Sequence, residues 1–310
     1  MRKIKKYLKY IGNVVTILAL IFLVFALSKL GINFESLANP KSIIVCIVGT
    51  LGVTITVYIL AYAWKNTLDY LSGSRTKYSE VAGVYGKANI GKYLPGNVMH
   101  YVERNLFATK IGLDQFELGI SSILEVVGFI IVTILVSVIC AYREFIKVIN
   151  KYVTPTYAAI LCGVIIAGIA VVILVCFKSK KIQRIIKRLL DVKFAGVFLI
   201  NMLLYLIVFI ILGAVLLLIC TVALDVKFTV YEGALLIAYY MLAWVVGFMI
   251  PGAPGGIGVR EAVLYMLLGV NHNIKNMELI FTAAMIHRML SIFGDVIGYC
   301  ISLPLNRKSE

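Results

Sequence analysis

Charge is scarce in this chain, and acidic charge is scarcest. Charged residues make up 15% of the 310, with 15 Asp and Glu against 30 Lys and Arg. A water-soluble domain carries about 25% charged residues, so a soluble core is excluded. Histidine is nearly missing: three in all, and none stands at metal-ligand spacing from another, which gives no reason to expect a metal or any other cofactor. The six cysteines, Cys46, Cys140, Cys162, Cys176, Cys220 and Cys300, all lie in apolar runs and none forms a C-x-x-C pair. They read as small buried apolar residues, not as a disulfide framework. Nucleotide-binding motifs, Asp-x-Asp pairs and nucleophile–base arrangements are also lacking. An enzyme is therefore the less favoured class.

What fills the chain is apolar. Hydrophobic residues reach 61%, and the mean hydropathy is +0.97. A helix needs about 20 apolar residues to cross a bilayer. Continuous runs of that length predict seven spans, at about 13–30, 43–64, 118–141, 156–177, 195–220, 230–250 and 277–303. Open strands cannot satisfy their backbone in lipid, and a barrel would show short alternating segments instead. The expected fold class is an all-α polytopic membrane protein forming one integral membrane domain over 1–310. Its first half would cover 10–141, a linking part 156–193 and its second half 195–303.

The net charge of +15 points to cytoplasmic loops beside anionic lipid, with no nucleic-acid partner, because no basic stretch accompanies a soluble fold. Met1 to Lys9 holds five basic residues and no acid. The apolar run after it reads as a retained span, since no small-x-small cleavage site ends it. Segment 178–193 holds Lys178, Lys180, Lys181, Arg184, Lys187, Arg188 and Lys193 against Asp191. Both basic segments are expected in the cytoplasm, which puts a multi-pass chain in the cell membrane with its N-terminus inside. Ile182, Ile185, Ile186, Leu189 and Leu190 recur at helical spacing within 178–193, the pattern of an amphipathic helix in the headgroup plane. The loop 142–155 fits less well: it should lie outside, yet it holds Arg143, Lys147 and Lys151.

Two segments, 80–112 and 251–272, are too short or too polar to span. The first contains Lys92-Tyr93-Leu94-Pro95-Gly96 and reaches Arg104 beside Glu103. The second runs Pro251-Gly252-Ala253-Pro254-Gly255-Gly256-Ile257-Gly258-Val259-Arg260-Glu261. Each has Pro-Gly, then an arginine nine residues after the proline with a glutamate beside it, and each precedes a span. Proline breaks a helix and glycine permits unusual backbone angles. Such backbone survives at membrane depth only where protein or a wet cavity surrounds it. A short helix starting after the glycines points free N–H groups at that cavity, a natural anion site. Paired broken segments in two halves of a chain point to a substrate site between them. Cytoplasmic turns beside interfacial helices would be the plainer alternative.

Glu125 lies inside the third span, and His287, Arg288 and Asp295 lie inside the last. Arg288, Ser291 and Asp295 share one helical face. Intramembrane charges mark a pathway or a partner, so an Arg288–Asp295 or Arg288–Glu125 pair that only locks helices is the competing reading.

At Lys92-Tyr93-Leu94-Pro95-Gly96, Pro254-Gly255-Gly256-Ile257-Gly258-Val259-Arg260-Glu261 and His287-Arg288 through Gly294-Asp295, the sequence resembles the lysylphosphatidylglycerol synthase transmembrane-region family, also called a flippase-like domain. The resemblance covers about residues 10–303. In two-domain members it implies a soluble domain that transfers lysine onto phosphatidylglycerol and a membrane domain that moves the product between leaflets, supporting resistance to cationic peptides. Only a few polar residues follow the last span here, so the resemblance extends to the membrane domain and not to the synthase domain. Other members stand alone or are joined to glycosyltransferases using polyprenyl-phosphate carriers. The expectation is a translocase or binding protein for an anionic lipid headgroup, phospholipid or polyprenyl-phosphate-linked. Membrane lipids would be its partners, with a separately encoded glycosyltransferase or lipid-modifying enzyme as a further one. Lys92, Tyr93, Pro95, Gly96, Arg104, Gly255, Gly256, Gly258, Arg260 and Glu261 are the expected headgroup-binding residues, with Arg104 and Arg260 on the phosphate. A membrane-bound lipid-modifying transferase, or a membrane partner for one, remains the alternative.

Overall fold

The computed structural model describes residues 39–94, 98–109, 114–152, 180–250, 254–256, 258–270 and 277–306. The spans expected at 13–30 and 156–177 lie outside the described residues, as do Pro95 and Gly96. Among the described residues the chain is all helix, with no strand.

Among the described residues, five helices are long and apolar enough to cross a membrane. They match the spans expected at 43–64, 118–141, 195–220, 230–250 and 277–303. Helix α1 is Pro40–Ser72, started by Asn39, whose side chain accepts from Ser42 N at 2.8 Å, and by Pro40 in the first turn. Proline is suited to that place because its missing N–H would be unpaired there anyway. Helices α2 (Tyr78–Asn89) and α3 (Met99–Ala108) flank a 3-10 turn at Ile90–Tyr93. Helix α4 (Gln115–Tyr152) departs from helical angles at Ala141, where the apolar run ends. The segment 142–155 was expected as a loop; it is helical as far as Tyr152. Helix α5 is Lys180–Leu189, and α6 is Val192–Leu218, continuing as a π-turn at Ile219–Ala223. Helix α7 (Val230–Met249) opens with a capping box between Thr229 and Glu232. A 3-10 turn at Pro254–Gly256 leads to α8 (Val259–Val270), and α9 is Met277–Asn306.

The surface and the interior are inverted relative to a soluble protein. Ile43, Ile47, Leu51, Ile139, Leu199, Leu203 and Ile301 are exposed, while Glu103, Arg104, Glu125, Glu261, Arg288 and Asp295 are buried. Water would drive the first group inward and the second outward. Lipid does the reverse, so this is the architecture of a multi-pass α-helical membrane protein.

The packing fixes which ends lie together. Val45 near the start of α1, Cys220 and Val226 after α6, and Ile280 near the start of α9 share one cluster. Leu305 near the end of α9 packs against another cluster with Leu68, Phe107 and Leu118. The same end receives α5: Tyr70 donates to Arg188 O at 2.8 Å, Arg188 donates to Leu71 O, and Arg188 pairs with Glu117 at 3.6 Å. So α5 is clamped to the ends of α1 and α4.

Helices α2 and α3 form a hairpin that leaves this end and returns to it. Helices α7 and α8 form a second hairpin based at the opposite end, where Leu235 and Leu268 join the first cluster. The two tips, Ile90–Tyr93 and Pro254–Gly256, touch. Helix α9 supports both. Its Gly294 and Gly298 are four apart, the small-residue spacing that lets membrane helices approach closely. A Cβ on Gly294 would meet the Val53 side chain at 2.8 Å and Thr50 O at 2.9 Å. The gap is closed by Thr54 Oγ1 donating to Gly294 O at 3.1 Å and Tyr58 OH donating to Gly298 O at 2.8 Å.

Candidate functional site

Where the tips meet, a cavity opens beside α9, with an apolar wall that includes Val53, Val57, Phe129 and Leu212 and a polar one. It is lined by Asn89, Lys92 and Tyr93 from the first hairpin, Tyr240, Trp244, Gly255 and Arg260 from the second, and Arg288, Ser291 and Asp295 from α9. It encloses about 60 Å³, room for a few waters at about 10–15 Å³ each. The i, i+3, i+7 face of Arg288, Ser291 and Asp295 thus points into one space.

Asp295 is fully committed. Its Oδ1 accepts from Asn89 Nδ2 at 2.7 Å, and its Oδ2 accepts from Tyr93 OH at 2.5 Å and from Lys92 Nζ at 2.7 Å. Three donors surround the carboxylate. Burial pushes the Lys92 ammonium below its usual range, and Asp295 pulls it back up. This cluster ties the tip of the first hairpin to α9.

The two other cations have no such partner. Arg288 is 5% exposed; its Nη2 donates to Gly255 O at 2.7 Å, and its Nε has no hydrogen-bond partner. Arg260 lies over the Trp244 ring at 4.8 Å, and its Nε is also buried without a partner. Among the described residues no carboxylate lies within ion-pairing distance of either guanidinium. Burial and the neighbouring Arg288 charge both push Arg260 below the usual arginine range. An orphan N–H and an uncompensated charge are each costly when buried, and the two arginines bring two such N–H groups to one cavity.

Glycine makes the slot for Arg260. A Cβ on Gly247 would meet Arg260 Cγ at 2.4 Å, and one on Gly256 would meet Arg260 Nε at 2.6 Å. Gly255 and Gly256 also have φ of 56° and 75°, angles that disfavour side chains. A Cβ on Gly255 would press on the Tyr93 ring at 3.1 Å. Gly258 has φ 82°, and its N–H donates to Glu261 Oε2 at 2.8 Å. Glu261 therefore caps its own helix. The start of α8 is thus not a bare row of free donors.

The expected arginine pairing differs from the observed one. Arg104 does not line the cavity. It is 2% exposed and sealed in a separate cluster: Nη1 donates to Glu125 Oε2 at 2.8 Å, and Nη2 to Ser122 Oγ at 2.9 Å. Trp64, Tyr85 and Tyr101 surround its guanidinium at 4.4, 5.0 and 4.8 Å, and Tyr85 OH donates to Glu125 Oε1 at 3.1 Å. Arg104 Nε also lacks a partner, but its charge is met by Glu125. The partner of Arg260 across the cavity is Arg288. Neither Arg288–Asp295 nor Arg288–Glu125 pairs, because Lys92 and Arg104 hold those carboxylates. His287 Nε2–H donates to Leu212 O at 3.0 Å, which holds α9 to α6.

Sequence reading missed Asn89, Tyr240, Trp244 and Gly247, and it placed Ser291 on the face of Arg288 and Asp295 without giving it a part in the site. Gly247 stands thirteen residues before Arg260 with no local signal. No group of three or more metal-ligating side chains occurs among the described residues. No known protein family's sequence profile matches the chain, and no curated protein matches it.

Proposed function

We propose that this protein binds the anionic headgroup of a membrane lipid in the cavity between its hairpin tips, and that it moves such a lipid across the bilayer. One observation carries the reading: a buried guanidinium, Arg288, and a half-buried one, Arg260, line one cavity without a carboxylate within ion-pairing distance and with buried, unbonded Nε atoms. Arginine forks match phosphate oxygens bidentately. The opposed hairpins support transport, since a site where two broken segments meet is open to rocking of one against the other. The resemblance to the flippase-like membrane domain supports the same reading.

Arg260→Lys and Arg260→Ala test it. A charge-assisted hydrogen bond contributes about 1.5–3 kcal/mol, so both variants should lose roughly ten- to a hundredfold in affinity for vesicles containing phosphatidic acid and phosphatidylglycerol. Lysine keeps the charge but not the fork, nor the stacking on Trp244. Unchanged lipid binding in Arg260→Ala, with an unchanged melting temperature in detergent, would show the headgroup role to be wrong.

We further propose that the end bearing Arg75, Lys77, Lys187 and Arg188 faces the cytoplasm, because basic residues concentrate there. The end of α9 lies on that side too. In a cysteine-free background, an impermeant thiol reagent on intact cells should label Lys227→Cys and spare Ser74→Cys. The opposite pattern would invert the molecule.

A further inference from the structure

We infer that the cavity is matched to a doubly ionised terminal phosphate, the headgroup of a phosphomonoester lipid, in preference to a singly charged phosphodiester. The inference rests on the anion-site reading above and narrows it.

The argument is one of charge and room. Lys92, Arg260 and Arg288 line the space, with Asp295 as the facing carboxylate. Asp295 already has Lys92 at 2.7 Å, so that pair is closed. Two positive charges remain open. Glu261 does not close them: it turns to Gly258 N at 2.8 Å and lines a smaller space on the far side of Arg260 and Arg288, together with His287. A phosphodiester brings one negative charge on two free oxygens. A terminal phosphate brings close to two charges at neutral pH, on three acceptor oxygens. The three oxygens let each guanidinium fork engage an edge without displacing Lys92 from Asp295. The second point is size. About 60 Å³ takes a few waters, and a bare phosphate is of that scale. A phosphate carrying glycerol or an aminoacyl group on its far side is not.

The phosphate itself supplies the test, because its second ionisation falls near pH 6. Purified protein in non-ionic detergent would be titrated calorimetrically with dihexanoyl phosphatidic acid, dihexanoyl phosphatidylglycerol and inorganic phosphate, at pH 7.5 and pH 5.0. The charged and titratable groups around the cavity are Lys92, Tyr93, Tyr240, Arg260, Glu261, His287, Arg288 and Asp295. Both lipids meet the same groups, so the ratio of their affinities cancels the protein's own titration. We expect the monoester to bind about tenfold tighter than the diester at pH 7.5, and the ratio to fall towards one at pH 5.0. Arg288→Gln and Arg260→Gln each remove one open charge from a different helix, and either should flatten the ratio at pH 7.5. Testing both keeps the result readable if one fails to fold. Inorganic phosphate should follow the same pH trend with weaker binding. Equal binding of the two lipids at pH 7.5, with Arg260→Gln weakening both, would overturn the preference and leave the headgroup site standing. Binding of neither lipid would remove both readings. Inorganic phosphate binding as tightly as phosphatidic acid would overturn the lipid as the source of the phosphate.

Discussion

Glu125→Ala should remove most of the folded protein from a detergent extract. The carboxylate is 3% exposed and sits 2.8 Å from Arg104 Nη1. Taking it away leaves a guanidinium buried among Trp64, Tyr85 and Tyr101 with Ser122 Oγ as its remaining hydrogen-bond acceptor. Breaking one side of a buried pair costs about 3–5 kcal/mol, a large share of a stability of about 5–15 kcal/mol. The double change Arg104→Met with Glu125→Met removes both charges and keeps the volume, and it should recover much of the loss. It should also bind anionic lipid like the parent protein, because Arg104 lies outside the cavity. Fluorescence-detected size exclusion with a melting curve reads the first result. Wild-type melting of Glu125→Ala would sink the closed-pair account.

Asp295→Asn should move stability and binding in opposite directions. The change keeps the shape and removes the charge that faces Lys92 at 2.7 Å. Three cations then share the cavity with no carboxylate, and the empty protein should lose about 3–5 kcal/mol. An added anion would offset that loss, so dihexanoyl phosphatidic acid should raise the melting temperature further in Asp295→Asn than in the parent protein. The measurement is a pair of melting curves with and without the lipid. Equal ligand-induced shifts in the two proteins would show that Asp295 does not restrain Lys92.

Much of the scaffold is readable from local pattern, because a bilayer demands long apolar runs and lipid leaves no other use for them. The five described spans follow from that alone. The broken segments were legible for a similar reason: Lys92-Tyr93 and Gly255-Gly256 stand where neither a span nor a soluble helix can continue. The pairings were not. Helical periodicity puts Arg288 and Asp295 on one face, but it does not reveal that Lys92, two hundred positions away, takes the carboxylate. Arg104 and Arg260 look equivalent by spacing; one pairs with Glu125 from α4, and the other has no carboxylate within ion-pairing distance among the described residues. The close approach of α1 to α9 was encoded in Gly294 and Gly298, a spacing that becomes meaningful once the facing Val53 is known. The clamped position of α5 had no local signal, since Arg188 reads as one basic residue among many.

The centre of the molecule also sets an order for its biogenesis. Helix α9 is the least apolar of the five spanning helices and carries His287, Arg288 and Asp295. A translocon would release it into lipid poorly on its own merits. The donors to Asp295, namely Asn89, Lys92 and Tyr93, are synthesised some two hundred residues earlier. They must wait, beside Thr54 and Tyr58 of α1, until α9 has been made. Helix α9 is then drawn in by a partner surface already in place, and a chain truncated before α9 would be left with a polar wound facing the bilayer, a form that quality-control proteases are built to remove.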